Sequence, residues 1–146
     1  MAKQTHGGFY ISQIKQIQGR IFEKLLKANA IDDFNGPQGR ILFVLWQEDN
    51  LPIHELGKKT SLAKTTLTSM LDRMEKKGYL MRVLDPGDRR QIRIVLTEKA
   101  TSMRARYQSV SVQMNEIFYQ GISEDEITRF ENTLAALLKN LKDYEG

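Results

Sequence analysis

Cysteine is absent from these 146 residues, which removes structural disulfides, thiolate metal sites and thiol redox chemistry from consideration. Histidine is scarce: His6 and His54 are the two imidazoles, and they stand too far apart in sequence to read as a zinc pair. No apolar run approaches the roughly 20 residues that a bilayer-spanning helix needs, so no membrane partner is expected. The segment from Met1 to Phe9 is polar and lacks the apolar core and small-residue cleavage site of a secretory signal, so a cytoplasmic location is expected. There is no nucleophile with a paired base and no phosphate-cradling glycine loop. The expectation is a protein that is not an enzyme and needs no cofactor.

What is present is ordinary in amount and uneven in placement. The length suits one domain over residues 1–146, and 40% hydrophobic with 27% charged residues is the balance of a globular chain. The formal net charge is +4. Between Ile53 and Leu96, however, ten cations (Lys58, Lys59, Lys64, Arg73, Lys76, Lys77, Arg82, Arg89, Arg90 and Arg93) face five carboxylates (Glu55, Asp72, Glu75, Asp85 and Asp88). That surplus of five leaves −1 for the rest of the chain. A localised positive field attracts phosphate backbones, although a solvated face of lysines has the same composition.

Apolar spacing sets the order of elements. Ile11, Ile14, Ile21 and Leu25, with Ile17 and Phe22, mark a long amphipathic helix that Asn35-Gly36-Pro37 breaks. Pro37 suits the first turn of a second helix carrying Ile41, Leu42, Val44, Leu45 and Trp46. A short helix from Ile53 to about Lys59 and a longer one ending near Lys77 come next, and Gly78 stops the longer one. Leu80 to Leu84 and Gln91 to Leu96 read as a hairpin, with Pro86-Gly87 at the centre of a type II turn. After Thr97 one helix is predicted with Met103, Tyr107, Val110, Met114, Ile117 and Phe118 on a stripe. A reciprocal capping box of Ser123 and Glu126 then opens a last helix, whose apolar face is Ile127, Phe130, Leu134, Leu137, Leu138 and Leu141.

Two helices joined by a tight turn and followed by a basic hairpin make a winged helix-turn-helix. The fold class expected is therefore mainly α with a small β-hairpin wing, in about six helices. On a helical wheel, Leu67, Met70, Leu71 and Met74 share one side of the second helix of the pair. Thr65, Ser69, Asp72 and Lys76 fall opposite, with Thr68 and Arg73 on the flanks. Short hydroxyl side chains let a helix approach base edges and thymine methyls, and arginine bonds guanine bidentately. Lys64 adds charge at a helix start that already favours phosphate. At the hairpin tip, Asp88-Arg89-Arg90 can extend into an adjacent minor groove, Asp88 holding a neighbouring arginine outstretched. The candidate DNA-binding residues are Lys64, Thr65, Thr66, Thr68, Ser69, Arg73, Lys76, Asp88, Arg89 and Arg90.

The stretches Glu55-Leu56-Gly57, Leu62 to Thr68, Leu71-Asp72-Arg73-Met74-Glu75-Lys76-Lys77-Gly78-Tyr79-Leu80, Asp88-Arg89-Arg90 and Leu96-Thr97 together resemble the MarR family of bacterial and archaeal regulators. The resemblance is dense from about Leu56 to Thr97. It implies a homodimer with DNA-binding winged domains at about 37–97, held by dimerisation helices at about 8–30 and 98–144. It further implies recognition of a pseudo-palindromic double-stranded operator, and a repressor released by a small aromatic or amphipathic effector. In this family pattern Arg90 reaches the minor groove. Phe9, Tyr10, Trp46, Tyr107 and Phe118 could line an effector pocket, but such spacings equally describe core, and no ligand residue is assigned. Two departures stand out: Ala63 occupies a place often held by a capping serine, leaving Ser61 as the alternative cap, and Thr60 replaces a frequently apolar residue. Without cysteine, peroxide sensing by a thiol is excluded. The rival expectation is a winged-helix protein-interaction module with no operator of its own.

Overall fold

The computed structural model describes residues 3–32 and 35–146. Helix α1 (Gly7–Ala28) carries the predicted stripe, yet Leu26 is its one buried residue among those described. Helix α2 (Gly36–Gln47) opens with a reciprocal cap that sequence reading missed. The Asn35 carboxamide accepts from the Gln38 amide at 2.9 Å, and Gln38 Oε1 accepts from the Asn35 amide at 3.3 Å. Glu23 of α1 accepts from the Gly36 amide at 2.7 Å, tying the two helices at the corner.

Helices α3 (Ile53–Thr60) and α4 (Lys64–Lys76) follow, then strands β2 (Leu80–Leu84) and β3 (Ile92–Leu96). The predicted hairpin is present, with Leu80 opposite Leu96 and Leu84 opposite Ile92. A third strand, β1 (Leu51–Pro52), lies between α2 and α3 and pairs antiparallel with β3, giving the order β1-β3-β2. Two residues are too few to show alternation, so apolar spacing gives no sign of this strand.

The predicted type II turn is corrected. Gly87 is not among the glycines with positive φ. Instead the Asp85 carboxylate accepts from the amides of Gly87 at 2.8 Å and Asp88 at 3.2 Å, a side-chain turn that needs no left-handed residue. The single helix predicted after Thr97 divides into α5 (Glu98–Ser102) and α6 (Arg104–Phe118). Met103 between them keeps right-handed angles, so counting the two as one gives six helices among the described residues. The Ser123–Glu126 cap of α7 (Glu124–Glu145) is one-sided. Ser123 Oγ accepts from the Glu126 amide at 3.2 Å, but the Glu126 carboxylate accepts from that same hydroxyl rather than from a backbone amide.

The fold class is a winged helix-turn-helix, mainly α with a small sheet. Its core gathers Leu26, Ile41, Leu42, Leu45, Leu56, Leu67, Leu71, Met74, Tyr79, Leu80 and Ile94, each at or near zero exposure. This is the predicted apolar side of α4 packed on α2, α3 and the sheet. Thr60 lies in that buried layer, where its hydroxyl donates to the Leu56 carbonyl at 2.7 Å. A polar residue in a usually apolar place is thereby satisfied by its own helix.

Candidate nucleic-acid interface

Helix α4 is held at its far end and open at its start. At the far end Gly78 has φ of 83°, the Tyr79 amide reaches the Met74 carbonyl and the Gly78 amide reaches Glu75, both at 3.0 Å. This pair of bonds ends the helix within one residue. At the start, Ala63 is the N-cap and no side chain caps it. The alternative cap is not realised, since Ser61 takes a left-handed conformation (φ 58°) at the end of α3. The first-turn amides of α4 therefore receive no side-chain cap from Ala63.

Leu67, Leu71 and Met74 pin one side of α4 while Met70 is half-buried. Lys64, Thr65, Thr66, Thr68, Ser69, Asp72, Arg73 and Lys76 are all exposed. The Thr68 hydroxyl donates to the Lys64 carbonyl at 2.9 Å, so its proton is engaged while its oxygen can still accept. Arg73 stands at one edge of this face, where it lines a polar cleft with Glu23, Asp32, Gln38 and Lys77.

The wing tip carries Asp88, Arg89 and Arg90. Arg90 is 91% exposed, and Asp88 holds it by two bonds, from Nε at 3.1 Å and from the terminal nitrogen at 3.3 Å. Asp88 Oδ1 also accepts from the Arg90 backbone amide at 3.0 Å, so main chain and guanidinium share one carboxylate. The Arg90 guanidinium keeps the Asp88 carboxyl below the usual carboxylate range. Asp85 is likewise lowered, first by the Gly87 amide and then by Arg93. Lys64 at the start of α4 and Arg90 at the wing border one cleft of about 450 Å³, floored by Ile53, Leu62, Leu67 and Ile92. Helix start and wing tip thereby present cations around a shared channel.

Two arginines that sequence reading counted toward the free basic field are engaged inside the protein. Arg82 donates to Asp72 at 2.6 Å, to Glu75 at 3.2 Å and to the Thr68 carbonyl at 3.4 Å. Arg93 donates to Asp85 at 2.9 Å and to the side chain and carbonyl of Asn50 at 2.9 and 2.7 Å. Their partners lie 7 to 43 residues away, so no local pattern signalled them. Among the described residues no cluster of three or more potential metal ligands occurs, and no helix is long and apolar enough to cross a membrane.

Comparison with known proteins gives a consistent result. Residues 34–92 match the MarR family. The chain is 33% identical over 104 residues to the HTH-type transcriptional regulator SarZ of Staphylococcus haemolyticus, covering 71% of this chain and 69% of that one. It is 31% identical over 128 residues to the HTH-type transcriptional regulator TtmR of Methylorubrum extorquens, covering 88% of this chain and 63% of the relative. Among solved structures, a mutant MarR from E. coli complexed with operator DNA superposes with a TM-score of 0.81 at 25% identity, over 90% of this chain and 92% of the other.

Proposed function

The chain belongs to the MarR family of DNA-binding transcriptional regulators, and from that premise we propose that it binds a pseudo-palindromic double-stranded operator as a homodimer and represses transcription until a small-molecule effector releases it. One observation carries the reading: α4 exposes a hydroxyl-rich face, and Lys64 at its start borders one cleft with the exposed Arg90 of the wing. A duplex backbone running through that cleft would leave α4 in the major groove and the wing in the minor groove.

In this reading Lys64 and Lys76 contact phosphate, Thr65, Thr66, Thr68 and Ser69 meet base edges, and Arg89 and Arg90 enter the minor groove with Asp88 as the holder. Arg73, at the edge of the face, reads a base or a flanking phosphate. Two copies joined through the exposed apolar faces of α1 and α7 present two such heads, with half-sites about one helical turn, ~34 Å, apart. The effector, a small aromatic or amphipathic molecule, has a fitting cleft of about 350 Å³ between α1, α2 and α6, lined in part by Phe22, Arg40, Phe43 and Tyr107. An occupant there changes the spacing of the heads only if it binds one spacing better than the other.

Selection of bound sequences from a random duplex pool tests the reading. A recovered palindrome with half-sites one turn apart is expected. A pool that never converges, together with binding to random duplex that barely responds to salt, would favour the protein-interaction module instead.

A further inference from the structure

Beyond the pairing of Leu51–Pro52 with Ile94 and Arg93 the wing is two-stranded, and a hairpin of this size does not hold its angle by backbone pairing alone. Arg82 lies on β2 opposite Ile94, with its side chain directed to α4. One guanidinium there gathers three acceptors spaced along α4: the Thr68 carbonyl, the Asp72 carboxylate and the Glu75 carboxylate. Glu75 also accepts from the Arg82 backbone amide at 3.1 Å, so carboxylate, side chain and strand are locked together. The Arg82 side chain is only 25% exposed, against 91% for Arg90. A planar, five-donor group bonding this many acceptors is a rigid connector in a way that a single ammonium is not.

We propose that Arg82 is a positioning residue that sets the wing at a fixed angle to α4, so that minor-groove entry by Arg90 and major-groove reading by α4 occur in one register. This rests on the proposed DNA-binding role of Arg90 and α4. With the connector in place, binding by α4 delivers Arg90 to its groove at high effective concentration. Without it, the wing samples many angles and Arg90 arrives at an entropic cost. Arg82 itself touches no DNA, and its contribution passes through Arg90.

A double-mutant cycle on the full-length protein, read as operator affinity, tests this. Arg90→Ala is expected to weaken binding on the order of tenfold in the parent, and by less than about threefold in an Arg82→Ala background. Asp72→Asn with Glu75→Gln, which removes the acceptors instead, should lower the coupling in the same way. Amide exchange of the DNA-free protein gives a second readout: the Val83 and Asp85 amides should exchange faster in Arg82→Ala, with the thermal midpoint nearly unchanged. Equal cost of Arg90→Ala in both backgrounds, or unaltered exchange in the wing, would overturn the assignment. If Arg90→Ala has no effect even in the parent, the DNA-binding role of Arg90 fails, and the exchange experiment still judges the connector.

Discussion

The winged lobe and the terminal helices are built to opposite plans. In the lobe, α4 buries Leu67, Leu71 and Met74 within its own chain and exposes a polar face. In α7, 22 residues long, none is buried, and Phe130, Leu137, Leu138 and Leu141 stand exposed. Helix α1 is similar toward its start, with Phe9, Tyr10, Ile11, Ile14 and Ile17 uncovered. Exposed apolar surface on this scale marks an interaction face. The difference teaches that the lobe closes its apolar surface within the chain, while α1 toward its start and α7 leave theirs uncovered.

Substitution separates the two plans. Leu71→Ala should cost about 2–5 kcal/mol in urea unfolding, because the leucine is fully enclosed and the lobe cannot collapse around the gap. A loss below 1 kcal/mol would mean that Leu71 is not enclosed in the core. Leu137→Asp with Leu138→Asp should leave the lobe folded by circular dichroism but weaken self-association by roughly 3 kcal/mol, on the order of a hundredfold in dissociation constant by sedimentation. Unchanged association would remove the apolar face of α7 from the interface.

Gly39→Ala probes the seam where lobe and terminal helices meet. A Cβ there would lie 2.6 Å from the Tyr107 hydroxyl, and that ring is packed against both Phe22 and Trp46. Overpacking should cost about 1–3 kcal/mol, read as a lowered thermal midpoint. The smallest effect concerns the wing alone. Asp85 and Asp88 are both lowered from the ordinary value near 3.9, so their contribution to wing order is full above that value and fades as pH falls through the lower folded values. Wing amides should stay protected at pH 5 and lose protection below about pH 4, ahead of the α4 amides. Loss between pH 7 and pH 5 would implicate some other group.

Much of this was legible because it depends on local spacing. The apolar steps in α1, α2, α4 and α7, the glycine at 78 and the outward Thr65, Ser69 and Arg73 follow from 3.6-residue geometry and cap chemistry, which act within a few residues. The misses arise where a distant or competing group decides. Pairing of Leu51 with Ile94 spans 43 positions, and the bridges of Arg82 and Arg93 require the folded sheet to bring their partners near. At the wing tip, the Asp85 carboxylate outcompeted the turn that Pro86-Gly87 favours by itself. Asn35 and Gln38 did carry a readable signal, an amide pair three residues apart ahead of an apolar run.

Thr97 bears on how this chain can change. Its hydroxyl donates to the Gly78 carbonyl at 2.6 Å and its amide to the Tyr79 carbonyl at 3.1 Å, so the chain leaves the lobe for the wing and returns to it at one spot. Residues inserted or deleted at the tip between 86 and 89 would lengthen or shorten a closed excursion without shifting where α5 begins. Grafted tips of different length and charge can therefore be exchanged on this scaffold, while the helices beyond Thr97 keep their register.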